Sequence, residues 1–514
     1  MRNDLLGLLV VIPLATAVAS VALVRRSRPQ RVLGLFSLGS MLVLAVGWLS
    51  EIRDGDVLVS QMGAWPAPFG ITLVFDSLSG LLLCTGLVVA LGCYVHSFSV
   101  LEPETERRYF HPLVQLLMVG VNQCFLTGDL FNLFVGFEIM LMASYGLLVI
   151  GASRRQMAQA YKYLVLNLIA STVFVISAGL VYGMFGTLNL ADLARIVDAR
   201  VASGEGLPPG FVGVSVMLLF VFGAKGAFFP LWFWLPDTYP TCPVPVAALF
   251  SGLLTKVGVY AVARTFPLVF AVGDAGDVVT PLLLVSAGIT MFLGVLGAVS
   301  QHSVRRILAV HVISQVGYMV FGIALMTTAG LAGALYYMVQ HMVVKSSLFL
   351  CCGVMEHHAG SDDLDRLGGL LKRDRFLGIA FFVAAMSLVG LPPLSGFFGK
   401  LVLVREGWTD HWWLSVVALL TGVLTLVSML KIWTRGFWLA PVVAAEPAPA
   451  AGSGDLRGAY IGIGFLVAVA VLMGLAAEPI YDIAFHAGEQ LTDPSAYIGA
   501  VNPRGLAAVP GGGG

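Results

Sequence analysis

Apolar runs of about 20 residues recur along almost the whole chain, and no other feature restricts its fold as strongly. A helix rises about 1.5 Å per residue, so each run spans the roughly 30 Å hydrocarbon core of a bilayer. Composition agrees with this. Hydrophobic residues make up 58% of the 514 and charged residues 11%, where a soluble domain carries about 25% charged residues. The 29 basic and 29 acidic side chains cancel. A soluble enzyme, a nucleic-acid-binding protein and a secreted disulfide scaffold are therefore set aside. The six cysteines (Cys84, Cys93, Cys124, Cys242, Cys351, Cys352) show no C-x-x-C spacing. They read as small core residues rather than ligands, and neither metal nor cofactor is expected.

At about 20 residues per crossing, the sequence predicts an all-α polytopic membrane protein with spans near 5–24, 32–50, 77–98, 111–129, 131–150, 163–186, 211–234, 244–265, 279–300, 307–328, 330–355, 376–404, 412–433 and 458–478. The first run is read as a retained helix, because its basic cluster (Arg25, Arg26, Arg28, Arg31) follows the apolar stretch, unlike a secretion signal. Lysine and arginine favour the cytoplasmic side of short loops. Alternate loops of this fourteen-span pattern hold 17 basic residues on one side and 7 on the other. Both termini are accordingly expected outside. Residues 1–110 form an N-terminal group of three spans, 440–456 a cytoplasmic linker, 458–478 a final span and 479–514 a flexible outer tail.

Two spans carry prolines that a plain helix would not tolerate: FGAKGAFFPLWFWLP with Pro230 in the seventh, and VGLPPLSGFFGK with Pro392 and Pro393 in the twelfth. Each break frees backbone carbonyls, which the bilayer permits only inside protein or beside a water-filled cavity. The broken spans lie five apart. Spans 4–8 (111–265) and 9–13 (279–435) therefore suggest two repeats of inverted topology, in which interrupted helices flag an ion path; Pro-kinked packing helices are the plainer alternative.

Ionisable groups at membrane depth are costly and rarely idle. Glu138 is the one carboxylate near the middle of a predicted span. Lys225, Lys256, Lys345 and Lys400 lie in the seventh, eighth, eleventh and twelfth, with His341 one turn before Lys345. Desolvation lowers a buried lysine's pKa and a nearby carboxylate raises it. A pair about 5 Å apart at an effective dielectric near 20 is worth roughly 3 kcal/mol, or about two pKa units. Such a set can switch protons, or it can serve as ion pairs that hold helices together. His311 is either a proton-uptake group or a solvated helix-end histidine. Lys431 reads as a snorkelling residue, His357 and His358 as surface residues at a helix C-terminus, and Asp76 and Asp129 as caps. No nucleotide loop, haem attachment or cluster ligand set is present to drive transport.

The stretches FLTGDLFNLFVGFEIMLMASYGLL, KGAFFPLWFWLPDTYPTCPVPVAALFSGLLTKVGVYAVAR, QHMVVKSSLFL and LPPLSGFFGK resemble the antiporter-like subunits shared by Mrp sodium/proton antiporters and respiratory complex I. The resemblance runs from about Asp76 to Arg435. It implies fourteen helices, two inverted five-helix repeats, and a proton path through Glu138, Lys225, Lys256, His341, Lys345 and Lys400 in the central plane. It further implies a prokaryotic plasma membrane, Mrp-type partners of the A, B, C, E, F and G kinds, and a transporter component rather than an enzyme. Sodium is expected to bind mainly in another polypeptide of the assembly, since one carboxylate among lysines makes a poor hard-cation site. A proton-pumping component of a complex I-like dehydrogenase or membrane-bound hydrogenase, and the membrane partner of an inorganic-carbon uptake system, remain the alternatives.

Overall fold

The computed structural model describes residues 3–52, 55–67, 69–443 and 455–502. Most of the expected linker, 444–454, and the tail beyond 502 lie outside these residues. The chain opens with α1 (Leu8–Ala22) and α2 (Ser27–Glu51), a short antiparallel ribbon of β1 (Leu58–Gln61) and β2 (Thr72–Phe75), α3 (Ser77–Val100) and the single turn α4 (Pro103–Arg107). There follow α5 (Phe110–Leu126), α6 (Leu130–Leu148), α7 (Arg154–Phe185), α8 (Leu190–Ser203), α9 (Phe211–Gly226), α10 (Leu235–Thr238) and α11 (Val244–Thr265). Next come α12 (Asp274–Ser300), α13 (Val304–Ala324), α14 (Thr328–Ala359), α15 (Leu370–Arg373), α16 (Arg375–Val389), α17 (Ser395–Asp410) and α18 (Trp412–Trp433). The described chain closes with α19 (Arg457–Leu475), α20 (Ala477–Thr492) and α21 (Ser495–Val501).

Among the described residues, eleven helices are long and apolar enough to cross a membrane, and α5, α9 and α16 are shorter apolar helices. Apolar side chains such as Phe36 and Val43 point outward, while α11, α13 and α14 are enclosed on all sides. A helix apolar all round must be surrounded by protein or lipid; these three, packed with α3, form the centre. Polar caps set the helix starts. Asp76 accepts from the Ser79 amide at 2.9 Å and Asp129 from the Asn132 amide at 2.8 Å, as expected of caps.

The twelfth span is broken as expected, into α16 and α17, because Pro392 and Pro393 cannot continue the hydrogen-bond ladder. Two features depart from expectation. An amphipathic helix, α8, follows α7, where no element was expected. The segment 479–514 is not a flexible tail throughout: α20 buries Ala484, Ala487, Gly488 and Leu491, and a Cβ on Gly488 would meet the Thr328 carbonyl at 2.5 Å. A small-residue face brought that close to α14 orders the segment by packing.

Candidate functional site

Glu138 sits half-buried on α6 and faces α7, whose Ser171 hydroxyl donates to its carboxylate. The ammonium of Lys225, in the last turn of α9, donates to the same Ser171 oxygen at 3.3 Å. Carboxylate and ammonium are thus joined through one hydroxyl rather than in direct contact. Lys225 is 4% exposed and also lies 4.9 Å from the centre of the Phe137 ring. Its position is set by backbone contact: a Cβ on Gly258 of α11 would fall 2.4 Å from the Gly226 nitrogen. Beyond Gly226 the helix stops, with Ala227 in the left-handed region at φ 57°. At the Pro230 break, the Trp234 indole donates to the Ala224 carbonyl at 3.0 Å, and the Phe229 amide donates to the Thr290 hydroxyl at 2.9 Å.

The middle of the site is drier. Lys256 on α11 is fully buried and donates to the Ser251 carbonyl and to Thr255 Oγ1. On α14, Lys345 Nζ and both ring nitrogens of His341 are buried with no hydrogen-bond partner among the described residues. An unpartnered ammonium at this depth costs several kcal/mol more than a bonded one on the order of general transfer scales. Lys345 is therefore the lysine whose charge the protein does least to stabilise. Beside it Gln340 donates to Ser387 Oγ at 3.3 Å, and Ser387 meets Ser395 at 2.9 Å across the twelfth-span break.

Lys400 on α17 uses that break differently. Its ammonium donates to the Leu388 and Val389 carbonyls, each at 2.9 Å, which are the last of α16. The rings of Tyr318 and Tyr337 lie 4.8 and 5.7 Å away. A cavity of about 300 Å³ opens beside it between Gly390, Leu401, Ala418 and Gly422. His311 is not at a solvated helix end: it is fully buried, with Ser428 at 2.8 Å from Nε2. Through Ser314, Gln315 and the Tyr337 hydroxyl it joins the polar network around Lys400. Lys431 donates to the Val299 and Gln301 carbonyls at the end of α12, a structural role. His358 is less exposed than a plain surface residue, lying against Asp374 and Tyr460.

The six candidates thus form a bonded unit (Glu138, Lys225), a buried centre (Lys256, His341, Lys345) and a terminal lysine (Lys400). Sequence reasoning missed Ser171, Ser387, Gln315 and Tyr337. A hydroxyl or amide inside an apolar helix is the only signal they give, and most such groups merely bond their own backbone. Among the described residues no group of three or more His, Cys, Asp or Glu could hold a metal ion.

The family described as NADH:quinone oxidoreductase/Mrp antiporter, TM, matches residues 127–425, which contain all six candidates. The D-type Na+/H+ antiporter subunit of Alkalihalophilus pseudofirmus is 42% identical over 501 residues, covering 97% of this chain and 99% of the relative. A chain in the solved Mrp complex of Dietzia sp. DQ12-45-1b is 33% identical, with a TM-score of 0.87 over 97% of this chain and 99% of that one. A chain of an archaeal membrane-bound sulfane sulfur reductase has a TM-score of 0.85 over 97% of this chain and all of that one. At 24% identity that likeness shows the fold alone. The same helical frame therefore serves different assemblies, and residue identity separates them. By its match over more than half its length and by its near-full-length identity to curated relatives, the chain belongs to the NADH:quinone oxidoreductase/Mrp antiporter transmembrane family, among the D-type Na+/H+ antiporter subunits.

Proposed function

We propose that this chain is the D-type membrane component of a multisubunit Na+/H+ antiporter and supplies the assembly's proton path. The observation that carries the reading is the Ser171 hydroxyl between Glu138 and Lys225. When Lys225 passes a proton to the Ser171 oxygen, Ser171 passes its own to Glu138, and the ion pair becomes a neutral pair. No net charge enters the bilayer in that step. Lys225 can then be recharged from the buried centre, where Lys256, His341 and Lys345 lead on to Lys400. Moving a proton between such groups needs only short hops, whereas sodium coordination needs several oxygens that this lysine-rich interior does not offer. Sodium is handled mainly by other polypeptides of the assembly.

The Arg-rich ends of the helices are cytoplasmic and both termini lie outside, in the plasma membrane of a prokaryotic cell. The chain crosses fourteen times, and α5–α11 and α12–α18 are inverted repeats. Two isolated bridges support the repeat: Asp129 with Asn189 ties the turn before α6 to the turn after α7, and Ser303 with Asp363 ties the turn before α13 to the segment after α14. The redox alternative shares the fold, but the sequence identities favour the antiporter.

Lys225→Arg tests the carrier role. A guanidinium keeps the charge but does not deprotonate in proteins, so exchange in everted vesicles should vanish while the complex still assembles. Full exchange by an assembled Lys225→Arg complex would remove Lys225 from the path, and iron–sulfur or flavin proteins co-purifying with the wild-type chain would favour the redox arm.

A further inference from the structure

We propose that the buried pair of Arg264 and Asp76 is a proton stop: a permanently charged plug that closes the outer end of the polar stripe leading from Lys256, and so keeps protons of the buried centre from leaking out along α11. The proposal rests on the proton-path reading and the orientation given above.

The stripe lies on a helix enclosed by protein on all sides. Lys256, Tyr260 and Arg264 recur every four residues of α11 and share one face. The remaining polar side chain in this half of the helix, Thr265, bonds back to the Ala261 carbonyl at 2.7 Å. The face therefore leads from the relay lysine to Arg264, about 12 Å further along the helix. α11 starts at the arginine-rich end of the molecule, where Arg305 donates to the Cys242 carbonyl at 2.8 Å. Arg264 is thus at its outer end.

There the guanidinium meets Asp76, which opens α3, through two hydrogen bonds of 2.6 and 2.7 Å. Both side chains are buried. Arg264 Nε donates to the Tyr260 hydroxyl at 3.2 Å, and that hydroxyl donates to the Phe125 carbonyl of α5 at 2.9 Å. Asp76 also accepts from the amide and the hydroxyl of Ser79, at 2.9 and 3.0 Å.

The contrast with Lys225 is chemical. Each sets a cation against a carboxylate, but a lysine can release its proton and an arginine in a protein does not. A guanidinium on the stripe passes no proton, and its fixed charge repels any cation approaching along it, as arginines do in pores that exclude protons. Stability alone is a poor reason to bury the pair, since apolar side chains of similar volume often serve as well. The hydrogen-bonded chain also ends here. On the far side Tyr497 of α21 covers the pair, its ring centre 5.4 Å from the guanidinium carbon. The Tyr497 hydroxyl is buried and has no hydrogen-bond partner among the described residues, so it offers a proton no onward step.

The test uses the whole complex in liposomes without sodium, with the membrane potential clamped by potassium and valinomycin, and reads the decay of an imposed pH difference with an enclosed dye. Wild type should hold the gradient. Arg264→Lys keeps a cation beside Asp76, but one that can release its proton, and its smaller head leaves room for water at a polar site. The gradient should then decay at least about tenfold faster. Adding Lys256→Gln to Arg264→Lys should restore the wild-type rate, which would not happen if the bundle were merely loosened at residue 264. Decay as slow as wild type in an assembled Arg264→Lys complex, or fast decay that Lys256→Gln leaves unchanged, would overturn the proposal. If Arg264→Lys does not assemble, Arg264→Gln combined with Asp76→Asn decides. That variant removes both charges together and keeps hydrogen-bonding groups, so it should leak, and a gradient held as in wild type would overturn the stop. The readout needs no sodium, so absence of exchange in the wild-type complex would count against the antiport reading and leave this test standing.

Discussion

The two helix breaks solve one problem in opposite ways. At the first, Lys225 ends the half-helix before the break, and its charge is met by a carboxylate reached through Ser171. At the second, Lys400 follows the break, and its charge is met by two carbonyls at the end of α16. The last carbonyls of a helix have no intrahelical donors and carry the negative end of its dipole, so they hold a cation without any acid. A carboxylate can be protonated and a carbonyl cannot. On the proposed function, the first break switches and the second holds a lysine ready to exchange with the cavity beside it.

The largest expected effect falls on the acid side of this contrast. Glu138→Gln keeps the shape but removes the one group able to take the proton. Exchange in everted vesicles should fall at least about a hundredfold at neutral pH, near 3 kcal/mol in barrier height; a wild-type rate would mean that both breaks merely hold lysines. Next is the backbone contact at each break. A Cβ on Gly396 would meet the Ser387 carbonyl at 1.9 Å, closer than the Gly258 contact with α9. Overpacking costs about 1–3 kcal/mol or more, so Gly396→Ala should lower the thermal midpoint of the purified complex more than Gly258→Ala. The reverse order would show that the first break is the stiffer. A smaller loss, about tenfold in rate, is expected for Ser171→Ala, which deletes the bridge but leaves both charges. An undiminished rate would mean that Glu138 and Lys225 exchange protons without it.

The smallest effect lies outside both breaks. Glu106 is held at about 2 from an ordinary 4.5, so its contribution to stability is complete above 4.5 and is lost only as pH falls toward 2. Between about pH 5 and 9, Glu106→Gln should therefore lower the thermal midpoint by a constant amount. A difference that changes across that range would show that the Glu106 carboxyl titrates there and is not held down by its partners, His111 and Arg31.

Much of this is legible in one dimension. The apolar runs at 111–129, 244–265 and 412–433 coincide within three residues with α5, α11 and α18, because a bilayer demands unbroken apolar length. Pro230, Pro392 and Pro393 mark both breaks for a similar reason: a missing amide cannot be hidden by context. The order within 479–514 escapes the sequence because α20 is amphipathic and short of a span, and it is contact with α14 that fixes it. Counting along its helix puts His311 near a surface, whereas Ser428, 117 residues away, encloses it.

What the sequence by itself determined is which groups must be buried in lipid-facing length and which of them carry charge, since burial in hydrocarbon follows from residue type and run length alone. Which charge meets which partner was decided by the tertiary structure. Ser171 is 33 residues from Glu138 and 54 from Lys225, and Gly258 holds Lys225 in reach from a third helix. A hydrogen bond acts over about 3 Å, and separations along the chain carry no information at that scale until helices pack side by side.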